Sequence, residues 1–210
     1  MNGKIAIVTG ASSGIGRATA ALLARKGATV VAVGRNQKEL NALRDGTPLK
    51  KGLIKPQLGD VTELSQIERI VTETVENFGQ IDVLVNSAGI IKSGDIETTT
   101  LDDWDKMMNV NVRSVFNLIQ RCVPYLIETK GNIVNVSSVA GTRSFPNVLS
   151  YCVSKAAIDQ LTRCTALELA GKGVRVNAVN PGVVVTNLHT RSGMDDDAYK
   201  AFLKHSKETH

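Results

Sequence analysis

Six short apolar runs, alternating with stretches of helical periodicity, constrain this chain more than any other feature. Lys4–Thr9, Thr29–Gly34, Leu53–Leu58, Ile81–Val85, Ile133–Val136 and Val174–Val179 are aliphatic and β-branched with little polar alternation. That is the pattern of strands covered on both faces. Between them, an Ala/Leu-rich segment ends near Gly27, and Ile67, Ile70, Val71, Thr74, Val75 and Phe78 recur at helical spacing. Longer helices are expected over 101–127, bent near Pro124, and over 150–170. Such alternation gives an α/β fold with a doubly wound parallel sheet, because each crossover must be right-handed and cover a face. With 210 residues, 42% of them hydrophobic, one domain is expected over 1–210. The Leu53–Leu58 run holds Lys55 and Pro56, which suit only a sheet edge.

The first run leads into TGASSGIG, Thr9 to Gly16. Gly10, Gly14 and Gly16 let the backbone approach a pyrophosphate and the sheet, while the positive end of the helix that follows faces the anion. An ordinary tight turn is the alternative, but the strand–loop–helix setting favours a dinucleotide site. Arg35 follows the second run at its C-terminal end, where an acidic residue would suit a free ribose 2′-hydroxyl and an Arg suits a 2′-phosphate. Gly34-Arg35-Asn36 therefore points to NADP(H) rather than NAD(H), although Ser13 offers the loop no second positive charge. Asp60, in Gly59-Asp60-Val61, could accept a hydrogen bond from adenine or cap the helix starting near Glu63. Asn86-Ser87-Ala88-Gly89 closes the fourth run, and Asn86 can tie neighbouring strands through its side chain.

Chemistry concentrates between Gly131 and Ala157. Tyr151 and Lys155 stand four residues apart and share a helix face. A phenol titrates near pH 10, roughly three units too high for efficient exchange at neutrality, and a neighbouring cation lowers that value. Ser138, at a strand end, could hydrogen-bond a carbonyl oxygen beside the phenol. Each residue alone also has a plain structural reading, and a bare Y-x-x-x-K is a common accident. Asn111, in mid-helix, is either surface filler or a sign of a disturbed hydrogen-bond ladder. Asn180-Pro181-Gly182 turns the chain over the strands' C-terminal edge, where Thr186 could reach a ligand amide, and residues 187–210 read as a polar flap or helix.

Composition removes several classes. The net charge is +5 with a pI near 9.2, but Lys and Arg are scattered and aromatics make up 4%, so a solvated surface is expected and no nucleic-acid partner. Cys122, Cys152 and Cys164 lack metal-ligand spacing and read as reduced thiols of a cytoplasmic protein. No leader, membrane span, repeat or metal-ligand cluster is expected; His189, His205 and His210 all fall in the polar tail.

In this order, TGASSGIG, GDV at Gly59–Val61, NSAG at Asn86–Gly89, the Asn111 segment, Ser138, YCVSK at Tyr151–Lys155 and NPG at Asn180–Gly182 resemble the short-chain dehydrogenase/reductase family over about 4–190, with an NADP-preferring carbonyl or 3-oxoacyl reductase as the nearest type. The resemblance implies a Rossmann fold and hydride transfer between NADP(H) and a carbonyl or secondary alcohol. It makes Tyr151 the general acid–base and has Lys155 lower its pKa and hold the nicotinamide ribose. Ser138 would polarise the substrate and Asn111 support a water relay. Gly10, Ser12, Ser13, Gly14, Ile15, Gly16, Arg35, Asp60, Val61, Asn86, Ala88, Gly89, Pro181, Gly182 and Thr186 would line the cofactor, and Phe145, Val148 and Leu149 the substrate pocket. It also implies a homodimer or homotetramer, formed through the helices of Asn111 and Tyr151. Ser87 departs from the family's second Asn, Ser13 from the basic residue of many NADP-preferring members, and the family's last strand and helix are expected to be absent. Alternatives are an NAD-dependent alcohol dehydrogenase of the same family and a nucleotide-sensing regulator without turnover.

Overall fold

The computed structural model describes residues 1–209. Six parallel strands form one sheet: β1 (Ile5–Val8), β2 (Thr29–Gly34), β3 (Leu53–Leu58), β4 (Val83–Asn86), β5 (Asn132–Val136) and β6 (Arg175–Val179), in the spatial order β3-β2-β1-β4-β5-β6. The order reverses between β1 and β4, so the chain is doubly wound and a crevice opens at their C-terminal ends. β3 lies at the edge, as Lys55 and Pro56 require, and β6 is the opposite edge.

Helices cover both faces. α1 (Gly14–Arg25) and α2 (Gln37–Asp45) enclose one core layer with Val8, Val30, Ala32, Leu40, Leu43 and Ile54. α3 (Leu64–Phe78), α4 (Leu101–Met108), α5 (Ser114–Glu128) and α6 (Leu149–Ala170) follow, and the larger layer holds Ile7, Val33, Ile67, Ile70, Leu84, Leu118, Leu126, Ile133 and Ile158. Sequence reading does not anticipate α2, which is polar and buries only Leu40 and Leu43. Its start is nevertheless encoded: Asn36 Oδ1 accepts the Glu39 N–H at 3.1 Å, an N-cap.

The expected helix over 101–127 is broken, and the break lies at Asn111 rather than Pro124. Residues Asn109–Arg113 form a π turn between α4 and α5, in which the Ser114 N–H reaches back to Asn109 O. A π turn inserts one residue and rotates the helix faces that follow. That rotation turns Asn111 inward, where it is 1% exposed.

After β6 the chain forms α7 (Leu188–Arg191) and α8 (Asp196–Thr209), so the polar tail is largely helical. Tyr199 Oη donates to Thr186 O at 3.2 Å and folds α8 back on the segment leading into α7. His210 and the side chain of His189 lie outside the described residues. Among the described residues, no three His, Cys, Asp or Glu side chains group as metal ligands, and no helix is long and apolar enough to cross a membrane.

Candidate active site

α6 buries an unusually polar face beside its core residues Ile158 and Leu169. Ser150, Tyr151, Ser154, Lys155, Asp159 and Thr162 are buried on its inner face, whereas Val153 is 40% and Leu167 82% exposed. Burying hydroxyls, an amine and a carboxylate costs stability unless each finds partners. The partners come from the strand ends. Lys155 Nζ donates to Val136 O at 2.8 Å, Ser137 Oγ to Lys155 O at 3.2 Å, and Asn135 Nδ2 to Thr162 Oγ1 at 2.9 Å. Asp159 accepts from Asn180 Nδ2 at 3.0 Å, and the same amide donates to Ser138 O at 3.0 Å. Ser138 Oγ accepts the Ala140 N–H at 3.2 Å, and Val139 N donates to Pro181 O at 3.0 Å. The turn carrying Pro181 and Gly182 is thereby docked beside Ser138.

Lys155 Nζ sits 5.6 Å from the centroid of the Tyr151 ring. The expected acidified phenol is not what this arrangement produces. Burial pushes the Tyr151 phenol above its ordinary value, and the Ser138 hydroxyl hydrogen-bonded to it only partly reverses the shift. Burial also lowers the Lys155 amine, with Asp159 opposing, to about 8. Lys155 donates to a backbone carbonyl and lies over the ring face.

Asn111 joins three segments. Its Oδ1 accepts the Ile90 N–H at 2.9 Å, and its Nδ2 donates to Ile90 O at 3.0 Å and Ser154 Oγ at 3.0 Å. The side chain thus holds the loop after β4 against α6. Gly89 lies in that loop, and a Cβ there would stand 3.4 Å from Asn111 Oδ1 and 3.8 Å from Lys155 Nζ. Asn86 does tie strands, donating to Asn135 Oδ1 at 2.8 Å.

The glycine loop meets the same edge. Gly10 has φ +66°, and a Cβ there would stand 2.8 Å from Ser87 O and 2.9 Å from Ala88 N. Thr9, to which sequence reading assigns no role of its own, supplies the matching tie: its Oγ1 accepts Ser87 N at 3.1 Å and Ala88 N at 3.2 Å. A Cβ on Gly16 would lie 2.5 Å from Gly10 O, so α1 begins directly against the loop. One on Gly14 would touch the Thr186 methyl at 3.2 Å. The glycine loop therefore lies between Thr186, which faces Gly14, and the Ser87–Ala88 backbone, which faces Gly10.

The remaining expected residues lie toward β2 and β3. Ser12 abuts Gly34, where a Cβ would be 3.3 Å from its Oγ, and Ile15 is half-buried in the first turn of α1. Arg35, 68% exposed, pairs with Asp60 at 3.6 Å. Asp60 does not cap α3. Its Oδ1 accepts from Thr62 N at 3.0 Å and Thr62 Oγ1 at 2.8 Å, and Glu63 occupies the N-cap position. Burial pushes the Asp60 carboxyl up, but the Thr62 and Arg35 interactions outweigh it and leave it below the usual range. The Val61 side chain belongs to the core. The loop does receive a second cation after all, because Arg191 of α7 donates from Nη1 to Ser13 Oγ at 3.0 Å.

These residues fit a dinucleotide. Ser13 makes no side-chain cap on α1, and the first turn holds no acid, which leaves donors and positive potential for a phosphate. The short chain dehydrogenase family model matches residues 4–197. The chain belongs to the short-chain dehydrogenase family. Its members are oxidoreductases that use NAD(P)(H) and act on small molecules at CH–OH or carbonyl groups. It is 43% identical over 189 residues to the 3-oxoacyl-(acyl-carrier-protein) reductase FabG of Thermotoga maritima, covering 90% of this chain and 77% of that protein. Identity to a 3β-hydroxysteroid dehydrogenase of Mediterraneibacter gnavus is 40% over 193 residues, 91% of this chain and 70% of that one. A short-chain dehydrogenase/reductase of Caenorhabditis elegans, solved with cofactor, superposes with a TM-score of 0.87 at 38% identity, over 96% of this chain and 77% of that one.

Proposed function

We propose that this short-chain dehydrogenase is an NADP(H)-dependent carbonyl reductase in which Tyr151 is the general acid. The observation that carries the reading is the buried Tyr151 phenol, hydrogen-bonded to Ser138, with Lys155 Nζ 5.6 Å from its ring centroid. A protonated phenol can give its proton to a carbonyl oxygen, and the cation beside the ring offsets the cost of the phenolate that this leaves. When bound, NADP(H) supplies the hydride. Ser138 and Tyr151 hold the substrate oxygen between two hydroxyls, and Tyr151 Oη delivers the proton to it. Lys155, predominantly charged at pH 7, holds the nicotinamide ribose and stabilises the phenolate left behind. Asn111 serves as a positioning residue, and Gly10 to Gly16, Asn86 to Gly89, Asp60 with the Val61 backbone, Pro181, Gly182 and Thr186 form the cofactor walls. Arg35 favours a 2′-phosphate.

Tyr151 clusters with Met107, Ala140, Ile90, Ile91, Val148 and Cys152. That wall suits an apolar carbonyl substrate, and the 3-oxoacyl and steroid compounds in the names of two relatives are of that kind. Leu101, Phe116, Val153 and Leu167 expose large apolar side chains on α4, α5 and α6, which supports a homodimer or homotetramer through those helices. Three unpaired thiols suit the reducing cytoplasm. The test is reduced-nicotinamide oxidation with a ketone and aldehyde panel. Turnover with NADPH is expected; binding of NADPH without oxidation across the panel would reject the enzyme in favour of a nucleotide sensor.

A further inference from the structure

The structure brings a guanidinium to the Ser13 hydroxyl of the glycine loop from 178 residues away. We infer that Arg191 is the second cation of the cofactor's phosphate site and reads the ribose 2′-phosphate together with Arg35. This rests on the NADP(H) reading above.

Three observations carry it. First, Ser12 and Ser13 form one corner beside the end of β2. A Cβ on Gly34, the residue before Arg35, would stand 3.3 Å from the Ser12 hydroxyl, while the adjacent Ser13 holds Arg191, so the serine corner lies between Arg191 and the end of the strand that leads into Arg35. Second, the cations nearby differ in how far they are already neutralised. Arg17 is held by Glu39, at 2.9 Å to Oε2 and 3.3 Å to the backbone oxygen, and Arg35 is shared with Asp60 at 3.6 Å. Arg191 pairs with no carboxylate among the described residues; its guanidinium donates instead to the neutral Ser13 hydroxyl. A planar guanidinium with most of its fork unused is suited to a phosphate, which takes two parallel N–H···O bonds. Third, its carrier segment is positioned. Arg191 N donates to Asn187 O at 3.0 Å, Tyr199 Oη to Thr186 O at 3.2 Å, and the Thr186 methyl touches Gly14. The same short segment therefore brings Thr186 to the glycine loop and Arg191 to the serine corner.

Fluorescence titration of NADPH and NADH against wild type, Arg191→Met, Arg35→Met and the Arg191→Met/Ser13→Arg double variant tests this without turnover. Arg191→Met is expected to weaken NADPH by roughly tenfold or more, as loss of a charge-assisted pair requires, and to change NADH less than about twofold. Ser13→Arg in the Met background is expected to restore most of the NADPH affinity, because it returns a cation to the same corner. The wild-type NADPH affinity is expected to fall more steeply with salt than that of Arg191→Met. Equal weakening of both cofactors would overturn the 2′-phosphate assignment, as would an unchanged NADPH affinity in a wild type that prefers NADPH. A wild type that prefers NADH sinks the NADP(H) reading, and this inference with it.

Discussion

Asn111 Nδ2 donates to Ser154 Oγ across 3.0 Å, and through that bond the π turn between α4 and α5 is fastened to the helix of Tyr151 and Lys155. The same amide holds both backbone groups of Ile90. Replacing Asn111 by Leu leaves the half-buried Ile90 N–H and carbonyl and the buried Ser154 hydroxyl without these partners. A loss of about 2–4 kcal/mol is expected in urea denaturation, with faster hydrogen exchange at the Ile90 amide. An unchanged Ile90 exchange rate would rule out the positioning role.

Tyr151→Phe removes only the hydroxyl from a site with 8% exposure, so the fold is expected to survive. Carbonyl reduction should fall by roughly 10²–10⁴-fold, while NADPH affinity measured by titration stays within about threefold. Undiminished turnover would reject Tyr151 as the proton donor.

The pH dependence follows from Lys155. Its amine carries charge below about 8 and loses it above. Because the cation is what stabilises the phenolate and holds the ribose, kcat/KM for reduction is expected to be flat from pH 6 to about 7.5 and to decline through about 8. Alcohol oxidation, which needs the phenolate and the same cation, should climb toward pH 8 and level off as Lys155 loses its charge. Steady-state rates in both directions across that range check the two signs together.

Gly10 and Gly79 share a left-handed backbone but not the same space. A Cβ at Gly10 (φ +66°) meets Ser87 O at 2.8 Å, whereas at Gly79 (φ +77°) it meets nothing within 4 Å. Gly79→Ala is expected to cost about 1 kcal/mol, from backbone strain alone. Gly10→Ala adds displacement of the backbone of the Asn86–Gly89 loop, for a total of roughly 2–5 kcal/mol and a loss of cofactor affinity. Thermal melts with and without NADPH separate the two variants.

Much of this site is legible in one dimension because its parts are local. Glycines with a strand before and a helix after, Arg35 following a strand and Tyr151 one helical turn from Lys155 are all short-range patterns. The edge position of β3 could be read from Lys55 and Pro56, and the strand tie by Asn86 from its place in β4. α2 escapes notice because a helix with two buried leucines shows little periodicity, although Asn36 marks its start. Asp60 has two plausible local roles, and only the position of Thr62 and Arg35 decides against the cap.

What the linear chain determines by itself is the alternation of apolar runs and helices, hence the parallel sheet, and which chemical groups gather at its C-terminal edge. Tertiary structure alone decides the rest. The raised phenol of Tyr151 comes from its burial, the commitment of the Asn111 side chain from a π turn, and the cation at Ser13 from a segment 178 residues downstream. The physical reason is common to all three. Secondary structure and loop chemistry depend on neighbours along the chain, whereas desolvation and charge depend on neighbours in space, which no local pattern records.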